Sequence, residues 1–125
     1  MSGTKTFVLG VLVAVMGSIT QAQPLYQTFA ICTGRLMAAT EHSWLMQSDV
    51  SDLRENQRRQ FEDLLDVTQP ANMSDHVLAL RVEARASHKM ILQRAQFASN
   101  KREKDWAQRQ ASAALIQCTG MLPSS

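Results

Sequence analysis

Apolar residues recur along most of the chain at steps of three and four, the spacing that lines one face of a helix. Four segments show this pattern: residues 24–47, 51–67 and 75–98, and a fourth that follows Asn100 and ends near Gly120. Residues that favour helices, such as Ala, Gln, Glu and Leu, dominate all four. The apolar and polar alternation of a half-buried strand does not occur in the sequence. The pattern predicts an all-α fold of four helices.

Residues suited to begin a helix stand at the borders of these segments. Ser51 or Asp52 is expected to cap the second helix, and Ser74 the third. Asn100 and Glu103 have the spacing of a capping box at the start of the fourth. Because short connections join the four helices, we expect an antiparallel up-and-down four-helix bundle.

The apolar stripes also predict which residues form the core of the bundle. Gly34 lies within the first segment and would allow another helix to approach closely. In chain order, the predicted inward-facing residues are Leu25, Phe29, Cys32, Leu36, Ala39, Ser43 and Met46; Leu53, Phe61, Leu64 and Leu65; Val77, Leu80, Ala84, His88, Ile91, Ala95 and Ala98; and Ala107, Ala111, Ala114, Cys118 and Met121.

The first 22 residues have the order of a secretory signal peptide. Lys5 gives a weakly basic start, residues 7–16 form an apolar run, and small residues precede the expected cleavage point after Ala22. The run is shorter than the roughly 20 residues that a membrane-spanning helix needs. We therefore expect export to the periplasm or beyond, and a single helical domain over residues 23–125. The alternative is an uncleaved N-terminal membrane anchor.

Cys32 and Cys118 are the only cysteines in the chain. An even number of cysteines in an exported protein favours a disulfide bond. Cys32 lies early in the first predicted helix and Cys118 late in the fourth, and antiparallel neighbours bring those two ends together. We expect a structural disulfide between them. Two free thiols with a redox role are the alternative, although the sequence has no C-x-x-C motif.

Charge is distributed unevenly along the chain. Residues 23–80 contain four basic and eight acidic side chains, whereas residues 81–125 contain eight basic and three acidic ones. Either acidic and basic helices lie side by side and neutralise each other, or a surface that carries both positive and negative charges binds a partner. The near balance of the whole predicts no nucleic-acid partner.

No motif in the sequence indicates catalysis or a cofactor. Nucleophilic catalysis needs a nucleophile held against a base, and both cysteines are expected to be oxidised. The fourth helix has no histidine, and C-x-x-C-H is absent, so haem is not expected. The Glu-x-x-His pairs of bundle metal sites are also missing. We therefore expect no enzyme activity, no metal and no cofactor. His88, on the third stripe, is either a core residue bonded to a carbonyl or acid, or a ligand.

Two surface features are candidates for an interface. Arg81, Arg85 and Lys89 step by four and form a basic ridge, which is either a solvated helix face or a site for an acidic partner or anionic lipid headgroups. Trp44 lies near the end of the first helix. It either packs under the following loop or stays exposed as an anchor for a partner.

Beside Trp44, Glu41 and His42 complete the predicted interface set. We expect Trp44→Ala to weaken partner binding while leaving the helix content intact.

Two segments resemble known proteins. Residues 53–57, LRENQ, followed by RRQFEDLL, resemble the L-T-x-x-Q segments of the small periplasmic stress chaperones of the Spy and CpxP type, with Arg54 in place of threonine. That resemblance implies an exported, all-helical, cradle-shaped dimer. Residues 32–36, CTGRL, together with 41–45, EHSWL, are similar to small uncharacterised exported bacterial proteins, and this likeness implies no particular function.

These observations favour a non-catalytic binding or interaction protein of the bacterial cell envelope, such as an accessory subunit of an envelope complex. A periplasmic chaperone-like protein is the first alternative, and a ligand-binding helical bundle is the second.

Overall fold

A computed structural model describes Gly3 and residues 23–123. The four helices are α1 (Leu25–Leu45), α2 (Ser51–Thr68), α3 (Ser74–Phe97) and α4 (Lys101–Thr119), each close to its predicted bounds. No strand occurs within the described residues. The predicted all-α fold is therefore confirmed. The predicted signal peptide, apart from Gly3, lies outside the described residues.

The helices pack as a bundle with α1 at its centre. It contacts α2, α3 and α4, and its contact with α3 is the most extensive. Contacts of Gln27 with His76 and of Glu41 with Arg85 show that α1 and α3 run in the same direction, as alternate helices of an up-and-down bundle do. Because three helices surround it, α1 buries more than the single predicted stripe, including Ala30, Thr33, Gly34, Ala38 and Thr40.

Gly34 sets the close approach of α1 to α3. A Cβ atom at this position would overlap the main-chain carbonyl oxygen of Arg81 and lie 3.0 Å from the Cβ of Ala84 and 3.0 Å from the nitrogen of Arg85. Two of these neighbours are backbone atoms, which cannot move aside independently of the helix. The predicted close contact at Gly34 is therefore confirmed.

A buried cluster and one disulfide hold the helices together. The rings of Phe29 and Phe61 lie with centroids 6.0 Å apart, and Leu36, Leu65 and Val77 pack in the same cluster. Cys32 and Cys118 are bonded, both are buried, and their Cα atoms are 5.4 Å apart. The predicted disulfide is confirmed, and it joins α1 to α4.

Buried hydroxyl groups on α1 are bonded within their own helix. Thr33 and Thr40 each donate to the carbonyl four residues earlier, at 2.7 Å, and Ser43 donates to the carbonyl of Thr40 at 2.6 Å. These bonds allow polar side chains to be buried at a helix contact without leaving unsatisfied groups.

The helix starts follow the predictions only in part. The Asn100 side chain accepts from the backbone N–H groups of Arg102 and Glu103, so the predicted cap of α4 is confirmed. The predicted side-chain caps of α2 and α3 are wrong, because Val50 and Met73 occupy the cap positions and neither helix has a side-chain cap.

Four predicted core residues are exposed instead: Leu25, Met46, Leu53 and Met121. All four lie within or just outside the terminal turns of their helices, where neighbouring helices no longer enclose the chain. Met46 follows the last residue of α1 and has therefore left the helical stripe.

No helix in the described part of the chain is long and apolar enough to cross a membrane.

Candidate functional site

The turn between α1 and α2 exposes a group of large apolar side chains. We call them the α1–α2 patch. Its members and their exposed fractions are Trp44 at 55%, Leu45 at 73%, Met46 at 38%, Val50 at 38% and Leu53 at 47%. Trp44 is thus exposed rather than packed under the loop.

A tightly bonded turn presents the α1–α2 patch. The N–H of Ser48 donates to the carbonyl of Ser43 at 2.8 Å, and the N–H of Gln47 donates to the carbonyl of Trp44 at 3.1 Å. Together these bonds form a Schellman motif, whose central residue is usually glycine because it adopts a left-handed conformation. Here that residue is Gln47, with φ of 52°. The bonded turn fixes the chain where the patch is displayed.

Acidic side chains border the α1–α2 patch. Asp49 lies in the turn and Asp52 in the first turn of α2, and both are exposed. Neither forms an ion pair within the described residues. Two exposed carboxylates without an ion pair in the described chain therefore lie beside the patch.

The predicted interface residues on α3 are partly engaged within the protein. Glu41 Oε1 lies 2.5 Å from Arg85 Nη2, and Glu62 Oε1 lies 3.5 Å from Arg81 Nη2. Lys89 is exposed and forms no ion pair within residues 23–123. Acidic residues of α1 and α2 thus neutralise two positions of the predicted basic ridge.

A second feature is a cleft between α1, α3 and α4, which we call the histidine cleft. It encloses about 400 Å³. Its walls are mainly apolar and come from Ile31, Leu80, Ala84, Ile91, Trp106 and Ala114. Arg35, Glu83, Ser87, His88 and Gln110 supply its polar groups.

His88 is the most unusual polar residue of the histidine cleft. Only 4% of it is exposed, and its Nε2 atom has no hydrogen-bond partner among the described residues. Burial is the main cause that lowers the pKa of His88 from 6.5 to about 4, and the nearby groups of Arg35, His42 and Arg54 contribute to the same shift. The imidazole is therefore neutral at pH 7. The bond to a carbonyl or acid that a core histidine would make is not found at Nε2.

Arg35 of α1 lies near His88, and its side chain reaches α4 on the opposite side of the cleft. Its Nη1 donates to the carbonyl of Ala114 at 3.0 Å and to Oε1 of Gln117 at 3.1 Å, and approaches Sγ of Cys118 at 3.8 Å. No carboxylate pairs with it in the described part of the chain, and burial lowers its pKa below the ordinary value. The sequence prediction did not select Arg35, although its place one turn from buried Cys32 was a usable signal.

A smaller cleft of about 320 Å³ lies on the other side of His88. His42, Met46, Val50 and Arg54 line it, so it extends from His88 to two members of the α1–α2 patch. Nη1 of Arg54 donates to Oε1 of Gln57 at 3.0 Å. The predicted interface residue His42 thus faces this cleft.

Within the described residues, no three His, Cys, Asp or Glu side chains are grouped as metal ligands. No protein-family model, curated protein or solved structure matches the chain. The α1–α2 patch and the histidine cleft are the candidate sites that the described residues offer.

Proposed function

We propose that this is a non-catalytic interaction protein of the bacterial cell envelope, which binds a protein partner through the α1–α2 patch. The exposure of Trp44 together with four neighbouring apolar side chains carries the proposal. Isolated apolar residues are common on protein surfaces, whereas five large ones exposed within one short stretch, residues 44–53, favour an interaction site.

The form of the patch supports a specific protein contact. Trp is enriched among the residues that dominate binding energy, because it buries a large rigid surface. The hydrogen bonds of the turn restrain the backbone of residues 43–48, which reduces the entropy lost on association.

The charges beside the patch restrict the partner. Asp49 and Asp52 favour an apolar surface flanked by lysine or arginine, since complementary charge speeds association and disfavours other partners. Glu41 is held by Arg85, so it supports α1 rather than reaching outward.

Location in the envelope rests on the predicted signal peptide and is supported by the disulfide. A bond between Cys32 and Cys118 is compatible with export, because disulfides persist in oxidising compartments. We expect the mature protein to begin at or near Gln23. The intact mass of protein recovered from the envelope tests this, and a membrane-bound species that keeps residues 1–22 would contradict it.

The docking proposal is tested with a photo-crosslinking residue at position 45. We expect it to capture one protein at a reproducible ratio, and Trp44→Ala to reduce that capture by tenfold or more. Leu78→Ala is the matched control, because Leu78 is a large exposed apolar residue near the start of α3, at the end of the bundle opposite the α1–α2 patch. Circular dichroism shows whether each variant is folded. A folded Trp44→Ala variant that is captured normally would contradict the proposal.

A chaperone-like function is the second candidate, and one further observation favours it. Large apolar side chains are also exposed along α3, at Leu78, Val82, Met90 and Phe97. A chaperone would use several such surfaces at once. It would suppress the aggregation of a reduced model client, crosslink to many proteins without a fixed ratio, and lose activity to a similar extent in Trp44→Ala and Leu78→Ala.

A further inference from the structure

The histidine cleft combines three properties that the proposed docking function does not use. It has an apolar wall, a half-buried arginine with no carboxylate partner in the described chain, and a buried histidine with an unpartnered Nε2 atom. Buried polar atoms are nearly always bonded, so Nε2 of His88 is an exception among them.

We propose that the histidine cleft binds a small amphipathic carboxylate, such as a medium-chain fatty acid. Arg35 holds the carboxylate, and the apolar wall from Ile31 to Trp106 covers the hydrocarbon chain. This inference is independent of the docking function, because none of these residues belongs to the α1–α2 patch.

The size and lining of the cleft agree with such a ligand. Small-molecule sites usually enclose roughly 300–1,000 Å³ and have mainly apolar walls with a few placed polar groups. The histidine cleft, with about 400 Å³, lies at the small end of that range. A single hydrocarbon chain bearing one polar head matches this volume and lining better than a large polar cofactor does.

The charges around the cleft select the sign of the head group. Arg35 of α1 lines the cleft, and Arg54 of α2 lies on the other side of His88 and also acts on it as a positive neighbour. Glu83 of α3 is the acidic residue on the cleft wall, and it is exposed, so solvent screens it. The α4 wall contributes Trp106, Gln110 and Ala114, which carry no charge. The buried end of the cleft thus favours an anion and disfavours a cation.

Arg35 is free to bind a head group without losing its present contacts. Nη1 makes its hydrogen bonds to Ala114 and Gln117, and no bond occupies its other nitrogen atoms within the described residues. A guanidinium group has five N–H donors in a planar fork that matches a carboxylate. The bonds of Nη1 hold the fork in place, so the ligand meets a positioned donor group.

Neutral His88 complements this arrangement. His88 lines the cleft and is neutral at pH 7, so it adds a polar group to the wall without a charge that would compete with Arg35 for the head group.

The test is titration of the disulfide-bonded protein with octanoate below its micelle concentration, followed by calorimetry and by amide and indole chemical shifts. Octanol and octylammonium are matched neutral and cationic probes. We expect shifts at His88 and Trp106, and binding of octanoate about tenfold tighter than of octylammonium. Equal binding of the three probes, or shifts confined to the α1–α2 patch, would overturn the proposal.

Three variants separate a cleft site from a general apolar effect. Arg35→Gln is expected to weaken octanoate binding about tenfold and to leave octanol unaffected. Glu83→Gln removes a repelling charge from an exposed position and should strengthen octanoate binding about twofold. Ser87→Trp, at the exposed rim, should block all three probes, and Arg59→Gln on α2 is the charge control. Unchanged octanoate affinity in folded Arg35→Gln and Glu83→Gln would refute the assignment.

Discussion

Acidification should destabilise the protein through His88 in particular. Its pKa is lowered from 6.5 to about 4 in the folded protein, chiefly by burial. The unfolded chain therefore binds a proton near pH 6.5, whereas the folded protein does not until about pH 4. Well above pH 6.5, His88 is neutral in both states and does not make the free energy of unfolding depend on pH. As the pH falls from 6.5 to about 4, only the unfolded chain gains the proton, so the free energy of unfolding decreases; below about pH 4 the loss is constant.

The size of the effect follows from linkage. Each pKa unit corresponds to about 1.4 kcal/mol, so the difference between 6.5 and about 4 amounts to roughly 3 kcal/mol. A domain of this size has a total stability of only about 5–15 kcal/mol, so the loss would be large.

Urea denaturation of the wild type and of His88→Leu between pH 7.5 and 3.5 measures this loss. Titration of the carboxylates is common to both proteins and cancels in the difference between their free energies of unfolding. We expect that difference to move by roughly 3 kcal/mol in favour of the variant on acidification. His76→Leu, which removes an exposed histidine, is the matched control. A difference that stays constant over this pH range would refute the reasoning, because it would mean that His88 titrates alike in both states.

Three further predictions concern the fold. Gly34→Ala should destabilise the protein by about 2–4 kcal/mol, because its Cβ would overlap the carbonyl oxygen of Arg81; the shift in urea midpoint measures this. Gln47→Gly should stabilise by about 0.5–1 kcal/mol, since glycine adopts the left-handed conformation without strain, and should raise the melting temperature by a few degrees. Reduction of the bond between Cys32 and Cys118 should lower the free energy of unfolding by up to about 4–5 kcal/mol; unchanged melting with both thiols labelled would contradict it.

The helices and the disulfide could be predicted because they depend on local spacing. Steps of three and four place Phe29, Cys32 and Leu36 on one face whatever the rest of the chain does, and all three are buried. The position of Cys32 early in α1 and of Cys118 late in α4 then allows few arrangements of an antiparallel bundle. Burial of Thr33 and Thr40 on the other side of α1 was not predictable in this way. It depends on α1 having helices around it, and on hydroxyl bonds made within the helix itself.

The composition of the α1–α2 patch depended on where α1 ends. Continuing the helical stripe places Met46 in the core, but the Schellman turn leaves the helix after Leu45 and directs the chain outward. Leu53 fits the stripe of α2, yet α2 packs chiefly against α1, so the first turn of α2 is covered on one side only. A glycine at position 47 would have signalled the turn. Glutamine in a left-handed conformation gives no such signal.

The histidine cleft could not be predicted because charge counts conceal how charges are distributed in space. Residues 23–125 are nearly neutral, with 12 basic and 11 acidic side chains. The fold pairs many of these, as in the contacts of Arg81 with Glu62 and of Arg85 with Glu41. Arg35 and Arg54 are left as the half-buried arginines that no carboxylate contacts within the described residues. Both act on the same buried histidine. A local excess of positive charge around a neutral imidazole therefore arises within a chain of almost no net charge, and only the packing of α1, α2 and α3 around that point creates it.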